Sequence, residues 1–165
     1  RQKFQQKNQS PIPKTKDKKQ LLENDLIRLC FAEDLAIRKY LFENVNSEWL
    51  VSELSRKIYE KVYIHLHSVN APEAGLIMDE LKNEVHRNEL AELVFDLEKL
   101  NPSLDSAHEC VSRLEQNWIT TQIQSLREEL KNAESSGSDP IPLMKKIEEL
   151  QTQKNNLSHQ YASEE

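Results

Sequence analysis

Two short groups of histidine, carboxylate and thiol side chains come closest to a metal site in this sequence. The first is His65 with His67, and the second is His108-Glu109-Cys110. Imidazole, carboxylate and thiolate are the usual ligands of Zn²⁺, but on a helix they must share one face. Helical residues two positions apart diverge by about 200°, so neither group is expected to grip one ion. We therefore predict no metal and no cofactor in this chain.

Adjacent glutamates, in pairs that begin at Glu128 and Glu148, are candidates for a general acid and base. Both pairs flank apolar positions at helical spacing, which is typical of the solvated face of a helix. A phosphate-binding loop requires clustered glycines, and the chain has only two, Gly75 and Gly137. No catalytic residue is predicted, and we expect a chain that is not itself an enzyme.

Two cysteines, Cys30 and Cys110, lie far apart in the sequence, each within an apolar helical stretch. Free cysteine behaves as a small apolar side chain and is often buried. Buried, reduced thiols are therefore predicted in preference to a disulfide, which favours a cytoplasmic protein.

Composition favours an all-α fold. The 165 residues are 37% apolar and 30% charged, which suits one domain with a modest core and a solvated exterior. Sheets and tight hairpin turns usually need more than two glycines. No run of about 18 apolar residues occurs, so no membrane span is expected. Because the first residue is Arg1 and not Met, we expect a piece of a longer protein.

Charge is distributed unevenly along the chain. Residues 1–19 carry seven basic groups and one acid, which leaves 15 basic and 27 acidic residues over positions 20–165. A body this acidic repels a phosphate backbone, so no direct binding of nucleic acid by the bundle is expected. Residues 1–16, with their lysines and prolines, are predicted to form a flexible basic linker. A nucleic-acid-binding arm is the alternative for this segment.

Apolar residues at helical spacing predict a bundle of about five to six helices over residues 17–118. Its helices are expected to begin at capping signals and to break at prolines. The first helix is expected to start near Asp17, with Gln20 completing a capping box, and the second to cover residues 33–43. The third is expected to be capped by Asn46-Ser47, and the fourth to start within residues 70–73. The fifth is expected to cover residues 85–100, and the last to be capped within residues 101–103.

The last third of the chain predicts a long antiparallel two-helix hairpin over residues 119–161, with a disordered tail at 162–165. Its two apolar seams alternate steps of three and four residues across a polar turn at 135–139. The seam positions are Ile119, Ile123, Leu126, Leu130 and Ala133 in the first helix and Leu143, Ile147, Leu150, Lys154, Leu157 and Tyr161 in the second. At Trp118 the apolar stripe slips by one position, which turns the buried face by about 100°.

Lys154 is the one charged residue on a seam position. A single polar residue there can set the register of the helix pair while its aliphatic stem reaches outward. The other interpretation is a seam that opens toward a partner near its end. The sequence is compatible with both interpretations.

In order and spacing, these segments resemble the C-terminal helicase-binding region of bacterial replicative primases, the DnaG family. The resemblance runs from about Lys19 to Tyr161. The residues that carry it are Leu21-Leu22-Glu23-Asn24-Asp25-Leu26-Ile27-Arg28-Leu29, Cys110-Val111-Ser112-Arg113-Leu114, Ile123-Gln124-Ser125-Leu126-Arg127-Glu128-Glu129-Leu130 and Leu143-Met144-Lys145-Lys146-Ile147-Glu148-Glu149-Leu150-Gln151.

The resemblance implies a non-catalytic domain that docks on the N-terminal domain of the hexameric replicative helicase (DnaB type). Docking would couple primer synthesis to unwinding at the replication fork. The parent protein would be a DNA primase, with zinc and a divalent metal such as magnesium bound in upstream domains. Nothing in this chain matches the residues that hold those metals in the family.

The predicted partner-binding residues lie on the second hairpin helix, where an uncharged polar texture replaces the acidic surface of the body. They are Gln151, Lys154, Asn155, Leu157, His159 and Tyr161. Two other functions remain open: the N-terminal collar domain of a helicase, which shares the fold implied by the resemblance, and a coiled-coil protein that self-associates through its seam. On the docking hypothesis we expect a monomer when the chain is alone.

Overall fold

A computed structural model of the chain describes residues 17–162, except for the side chains of Glu98, Leu100, Gln160, Tyr161 and Ala162. Within this part the fold is all-α, as predicted, and no strand occurs. The helices are α1 (Lys18–Cys30), α2 (Leu35–Asn44), α3 (Glu53–Tyr63), α4 (Ala74–Glu80), α5 (Glu84–Phe95), α6 (Leu97–Leu100), α7 (Leu104–Ser136) and α8 (Ile141–Ala162). The predicted linker (1–16) lies outside the described residues, as does the predicted tail apart from residue 162, which ends α8.

Two of the expected capping signals do not begin a helix in the way that was predicted. Asp17 precedes α1 but its side chain makes no capping hydrogen bond, and Gln20 donates to Asn24 Oδ1 at 3.0 Å instead of forming a capping box. Asn46 accepts a hydrogen bond from the backbone of Glu48, but the turn it caps is a 3-10 turn of three residues, Ser47–Trp49. Helix α3 starts later, behind its own N-cap, Ser52.

A buried carboxylate explains why α3 starts late. Glu23 on α1 is almost fully buried and accepts hydrogen bonds from the backbone N–H groups of Val51, at 2.6 Å, and Ser52, at 3.1 Å. These two N–H groups lie just before the first turn of α3, where the positive end of the helix dipole favours a negative charge. The bonds to Glu23 hold the chain extended between the 3-10 turn and α3.

The single helix predicted over 85–100 is interrupted at Asp96. Its backbone N–H still bonds to Glu92, while its carboxylate pairs with Lys99 and its carbonyl accepts from the N–H of the same lysine. Aspartate favours local bonds of this kind over helix continuation, so α5 ends at Phe95 and a one-turn helix, α6, follows. The later signal at Ser103 behaves as predicted, and its hydroxyl forms a reciprocal capping box with Ser106.

A first buried cluster joins α1–α5 to the beginning of α7, and α1 lies at its centre. Leu26, Ile27 and Leu29 on α1 are essentially inaccessible to solvent, because neighbouring helices cover more than one face of α1. Helix α1 also contributes Leu22 and Cys30. The remaining buried residues of this cluster come from the other helices and their connections: Phe31, Ala32, Ile37, Leu41, Val45, Leu50, Ile58, Tyr59, Val62, Leu66, Ile77, Leu81, Leu90, Leu93, Ala107, Cys110, Val111 and Leu114.

A second buried cluster lies between α7 and α8. Ile119, Ile123 and Leu126 from α7 meet Ile147 from α8, with half-buried residues around them. Those are Trp118, Leu130, Leu143, Leu150 and Leu157. Most of the predicted seam positions of both helices supply this cluster, but Ala133 and Lys154 are not among its members.

The turn between α7 and α8 depends on Gly137. Its φ of 72° lies in the left-handed region, and its N–H bonds to Ala133 in the last turn of α7. Asp139 then accepts a hydrogen bond at 3.0 Å from the backbone N–H of Ile141, the first residue of α8. The left-handed glycine and the hydrogen bond to Asp139 therefore shape the turn that reverses the chain.

Arg38 ties two connections of the first cluster together. Its side chain is fully buried, and its guanidinium donates to the carbonyls of Ala32, Glu33, Ser68 and Val69 at 2.6–2.9 Å. The first two carbonyls follow α1 and the last two follow α3, so one cation fixes both chain segments. A buried cation of this kind is stable only when carbonyl dipoles replace its hydration.

We expect Arg38→Ala to lower the free energy of unfolding by about 3 kcal/mol or more, because several buried carbonyls lose their donor. Arg87→Ala, at an exposed position on α5, should change it by less than about 0.5 kcal/mol. Urea denaturation followed by circular dichroism measures both. A loss of stability no larger for the Arg38 variant than for the Arg87 variant would contradict this role.

Substitutions at the two glycines should have opposite effects. Gly137→Ala must place a Cβ at positive φ, which costs about 1–2 kcal/mol. Gly75 lies inside α4 with open space around it, so Gly75→Ala should stabilise the fold by about 0.5–1 kcal/mol. Thermal unfolding of the two variants side by side tests the turn geometry, and equal shifts in the same direction would argue against it.

Candidate partner-binding site

Two of the three histidines considered as possible ligands, His67 and His108, pack against other rings. The ring centroid of His67 lies 5.1 Å from that of Phe42, and the ring of His108 lies 4.2 Å from that of Tyr40. His65 and His67 do not lie on a helix, as had been assumed from the sequence, because α3 ends at Tyr63 and both histidines lie in turns. Among the described residues, no group of three or more histidine, cysteine, aspartate or glutamate side chains could hold a metal ion.

Both cysteines are buried and unpaired by disulfide, as predicted. Burial raises the pKa of the Cys110 thiol to about 12, and its Sγ lies 3.6 Å from the carbonyl oxygen of Leu22. Burial also raises the pKa of Cys30 far above its ordinary value, with a further contribution from Cys110. A thiol acts as a nucleophile only as the thiolate, so neither side chain is a reactive group at neutral pH.

A groove of about 400 Å³ runs along one side of the α7–α8 pair. We call it the α7–α8 groove; it is lined by Thr120, Ile123, Gln124, Arg127, Gln151, Lys154 and Asn155. Six of these seven side chains are polar, and none is a carboxylate. The groove thus presents hydroxyl, amide and cationic groups from two helices to a molecule that enters it.

Three of the six predicted partner-binding residues line this groove: Gln151, Lys154 and Asn155. Lys154 is half-buried, as a seam position requires, yet its lining of the groove fits the interpretation of a seam that opens outward. His159 is exposed, one helical turn beyond Asn155 and on the same side of α8.

Leu157 does not lie on the outer surface of α8, where its predicted contact role would place it. It is half-buried and packs against the second cluster, because it continues the seam from Leu150 with a seven-residue step. The side chain of Tyr161 lies outside the described residues. The partner-binding role of all six residues stays a prediction.

Half of the groove comes from α7 and was not predicted. Thr120, Gln124 and Arg127 repeat at steps of four and three beside the apolar seam of α7. This polar stripe is visible in the sequence, but charged and amide residues flank almost every amphipathic seam. These three residues differ from other flanking residues because they lie across the groove from Gln151, Lys154 and Asn155 of α8. This arrangement depends on the register between α7 and α8.

A hydrogen bond outside the groove also joins the two helices and helps to set this register. The side-chain amide of Gln153 donates to Glu115 Oε1 at 2.9 Å, from α8 to a part of α7 that precedes the second cluster. Because Gln153 lies one position before Lys154, the bond also sets the rotation of α8 at the groove. An exposed pair of this kind positions a helix more than it stabilises one.

A second, smaller cleft of about 210 Å³ lies where the two buried clusters meet. Trp49 packs against the first cluster and Trp118 against the second, and both indoles line this cleft together with Glu23. Both tryptophans are half-buried. The cleft marks the place where α7 changes the face that it buries.

Comparisons of the chain with protein-family models, with curated proteins and with solved structures gave no match. The resemblance to the docking region of replicative primases rests on residues that the structure places in three helices. The opening stretch lies on α1, and the closing stretches lie on α7 and α8. In the part of the chain that is described, no helix is both long and apolar enough to cross a membrane.

The two thiols should react with dithionitrobenzoate at pH 8 at least about 100-fold more slowly than an exposed thiol, because they are buried and protonated. Thr152→Cys supplies the exposed comparison on the outer side of α8. Both native cysteines should react fully in urea. Rapid labelling of the folded chain would place at least one of them at the surface and contradict the packing of α1 against α7.

Proposed function

We propose that this chain is a non-catalytic docking domain that binds the hexameric replicative helicase. In this proposal residues 17–118 form a helical bundle and residues 119–161 a hairpin that carries the docking surface. The domain would tether a DNA primase to the helicase in the cytoplasm and so couple primer synthesis to unwinding at the fork. The chemistry of primer synthesis, with its zinc and magnesium, would belong to upstream domains of the parent protein.

The observation that carries this proposal is the α7–α8 groove. It combines a polar, accessible lining with a rigid support, since both of its walls are long helices whose apolar seams are buried against each other. Helix-on-helix docking is a common mode of recognition between proteins. The groove also contains half of the residues predicted to bind a partner.

The continuity of α7 supports the proposal further. This helix of 33 residues is about 50 Å long and contributes to both buried clusters. A force applied by a partner at the groove would therefore be transmitted to the first cluster through one continuous helix, α7. Such a connection suits a domain that must hold one enzyme on another while both move along DNA.

Charge supports a protein partner over nucleic acid. Positions 17–118 carry 12 basic and 20 acidic residues, whereas positions 119–162 carry five basic and six acidic ones. The acidic first part repels phosphate backbones. The nearly neutral α7–α8 pair does not repel an acidic protein surface to the same extent, so it is the better candidate for the contact.

Self-association is the second candidate, and exposed apolar residues at the start of α8 favour it. Ile141 is 56% exposed and Met144 is 54% exposed, close to the turn that follows α7. Two copies could bury these side chains against each other. Such a dimer would use the end of the α7–α8 pair near Gly137 and leave the groove open.

Size-exclusion chromatography with light scattering separates the two candidates. At about 20 µM the chain alone should be monomeric, and it should co-migrate with the hexameric replicative helicase encoded by the same genome. A stable dimer that does not co-migrate would contradict docking and support self-association.

Truncation after Gly137 places the contact within the chain. It removes α8 but leaves every buried member of the first cluster, the last of which is Leu114. We expect co-migration to be lost while the circular dichroism of the remaining helices is retained. Unchanged co-migration would move the docking surface to the first part of the chain. Ile141→Ser with Met144→Ser serves as a matched control in the full chain, and it should leave binding to the helicase intact.

A further inference from the structure

The α7–α8 groove holds two cations that have no ionic partner within the described residues. Arg127 reaches it from α7 and Lys154 from α8, and neither forms an ion pair or a side-chain hydrogen bond there. No acid lies three or four residues from either of them on its own helix. Lys57 and Arg113, by contrast, each lie four residues from the acid with which they pair, Glu53 and Glu109. Two unpaired cations that meet across one groove form a local positive site on an acidic chain.

We propose that the α7–α8 groove binds a carboxylate side chain of the partner, held between Arg127 and Lys154. This inference rests on the proposed function and names the chemistry of the contact. The partner segment would be acidic and would insert one aspartate or glutamate, and the side-chain amide N–H groups of Gln124, Gln151 and Asn155 would donate hydrogen bonds to its carboxylate. Arginine offers a planar pair of donors that matches a carboxylate, and lysine adds a point charge.

The lining argues against the two other kinds of anionic occupant. Small-molecule pockets are mostly apolar, whereas Ile123 is the one apolar residue that lines this groove. Grooves for single-stranded nucleic acid combine a run of cations with aromatic side chains on which bases stack. The α7–α8 groove has two cations and no aromatic lining residue. A protein carboxylate needs only cationic and amide hydrogen-bond donors, and the lining of the groove supplies both.

The surrounding charge makes the site selective. The first part of the chain is acidic and repels an acidic partner, so such a partner gains attraction only where unpaired cations outweigh nearby acids. The groove is lined by one cation from each of two helices and by no carboxylate, whereas the smaller cleft, lined by Lys19 and Arg56, also contains Glu23 and Glu48. Half-burial of Lys154 lowers the effective dielectric around it, which strengthens an ion pair formed there relative to one on the open surface.

The test measures binding of the full chain to the hexameric replicative helicase by calorimetry. We expect Arg127→Gln with Lys154→Gln to raise the Kd by about tenfold or more, because both charged donors are lost. Lys145→Gln with Lys146→Gln removes the same charge from exposed positions of α8 outside the groove. This control should leave the Kd within about twofold of the wild-type value.

Two further measurements separate a direct contact from a structural effect. Arg127→Lys with Lys154→Arg keeps both charges and should restore most of the affinity. Raising NaCl from about 50 to about 300 mM should weaken the wild-type chain more than the glutamine pair. If Lys154→Gln lowers the thermal midpoint, the single variant Arg127→Gln, at an exposed position, carries the test.

Each outcome decides one point. If the wild-type chain binds and the glutamine pair binds equally well at both salt concentrations, the carboxylate site is wrong and docking stands. If the wild-type chain does not bind the helicase at all, the proposed function is wrong, and the carboxylate site that rests on it is wrong as well. A single-stranded oligonucleotide of about 20 nucleotides provides the last arm. Binding of this oligonucleotide that depends on Arg127 and Lys154 would replace the carboxylate with a phosphate and overturn the proposal.

Discussion

One helix that buries two different faces is the constraint on which the rest of this structure depends. Helix α7 packs Ala107, Val111 and Leu114 into the first cluster, and then Ile119 and Ile123 into the second. The step from Leu114 to Ile119 is longer than the three or four residues that keep one face, so the buried face turns. Any change to that spacing would rotate α8, and with it the groove, relative to the first cluster.

The two clusters differ in how they are stabilised. The first surrounds α1 on several sides, and the buried polar groups Glu23 and Arg38 fix its connections at defined carbonyl and N–H groups. The second has four buried side chains, each worth about 1.5–3 kcal/mol, against the entropy of ordering a helix of 22 residues. The α7–α8 pair therefore depends on the anchored half of α7 for its rigidity. A partner that covers the groove would add burial where the chain has least of its own.

Much of the architecture could be predicted from local patterns. The seams of α7 and α8 are regular over four or five steps, Asp139 and Ser103 are strong N-caps, and Gly137 ends a helix. Each of these features depends only on neighbours in sequence. The features that could not be predicted depend on distant residues: Glu23 holds N–H groups 28 and 29 positions away, and this delays α3. The α7 half of the groove likewise required the register of the pair, which the bond between Gln153 and Glu115 helps to set.

Hydrogen–deuterium exchange of the full chain, with and without the hexameric replicative helicase, tests the central claim most directly. The account predicts that the helicase slows exchange in the parts of α7 and α8 that line the groove, at 120–127 and 151–159. In the free chain, protection should already continue through Trp118 without a gap, since α7 is one helix. Slower exchange confined to α2–α5, with α8 unchanged, would contradict the account and place the docking surface on the first cluster.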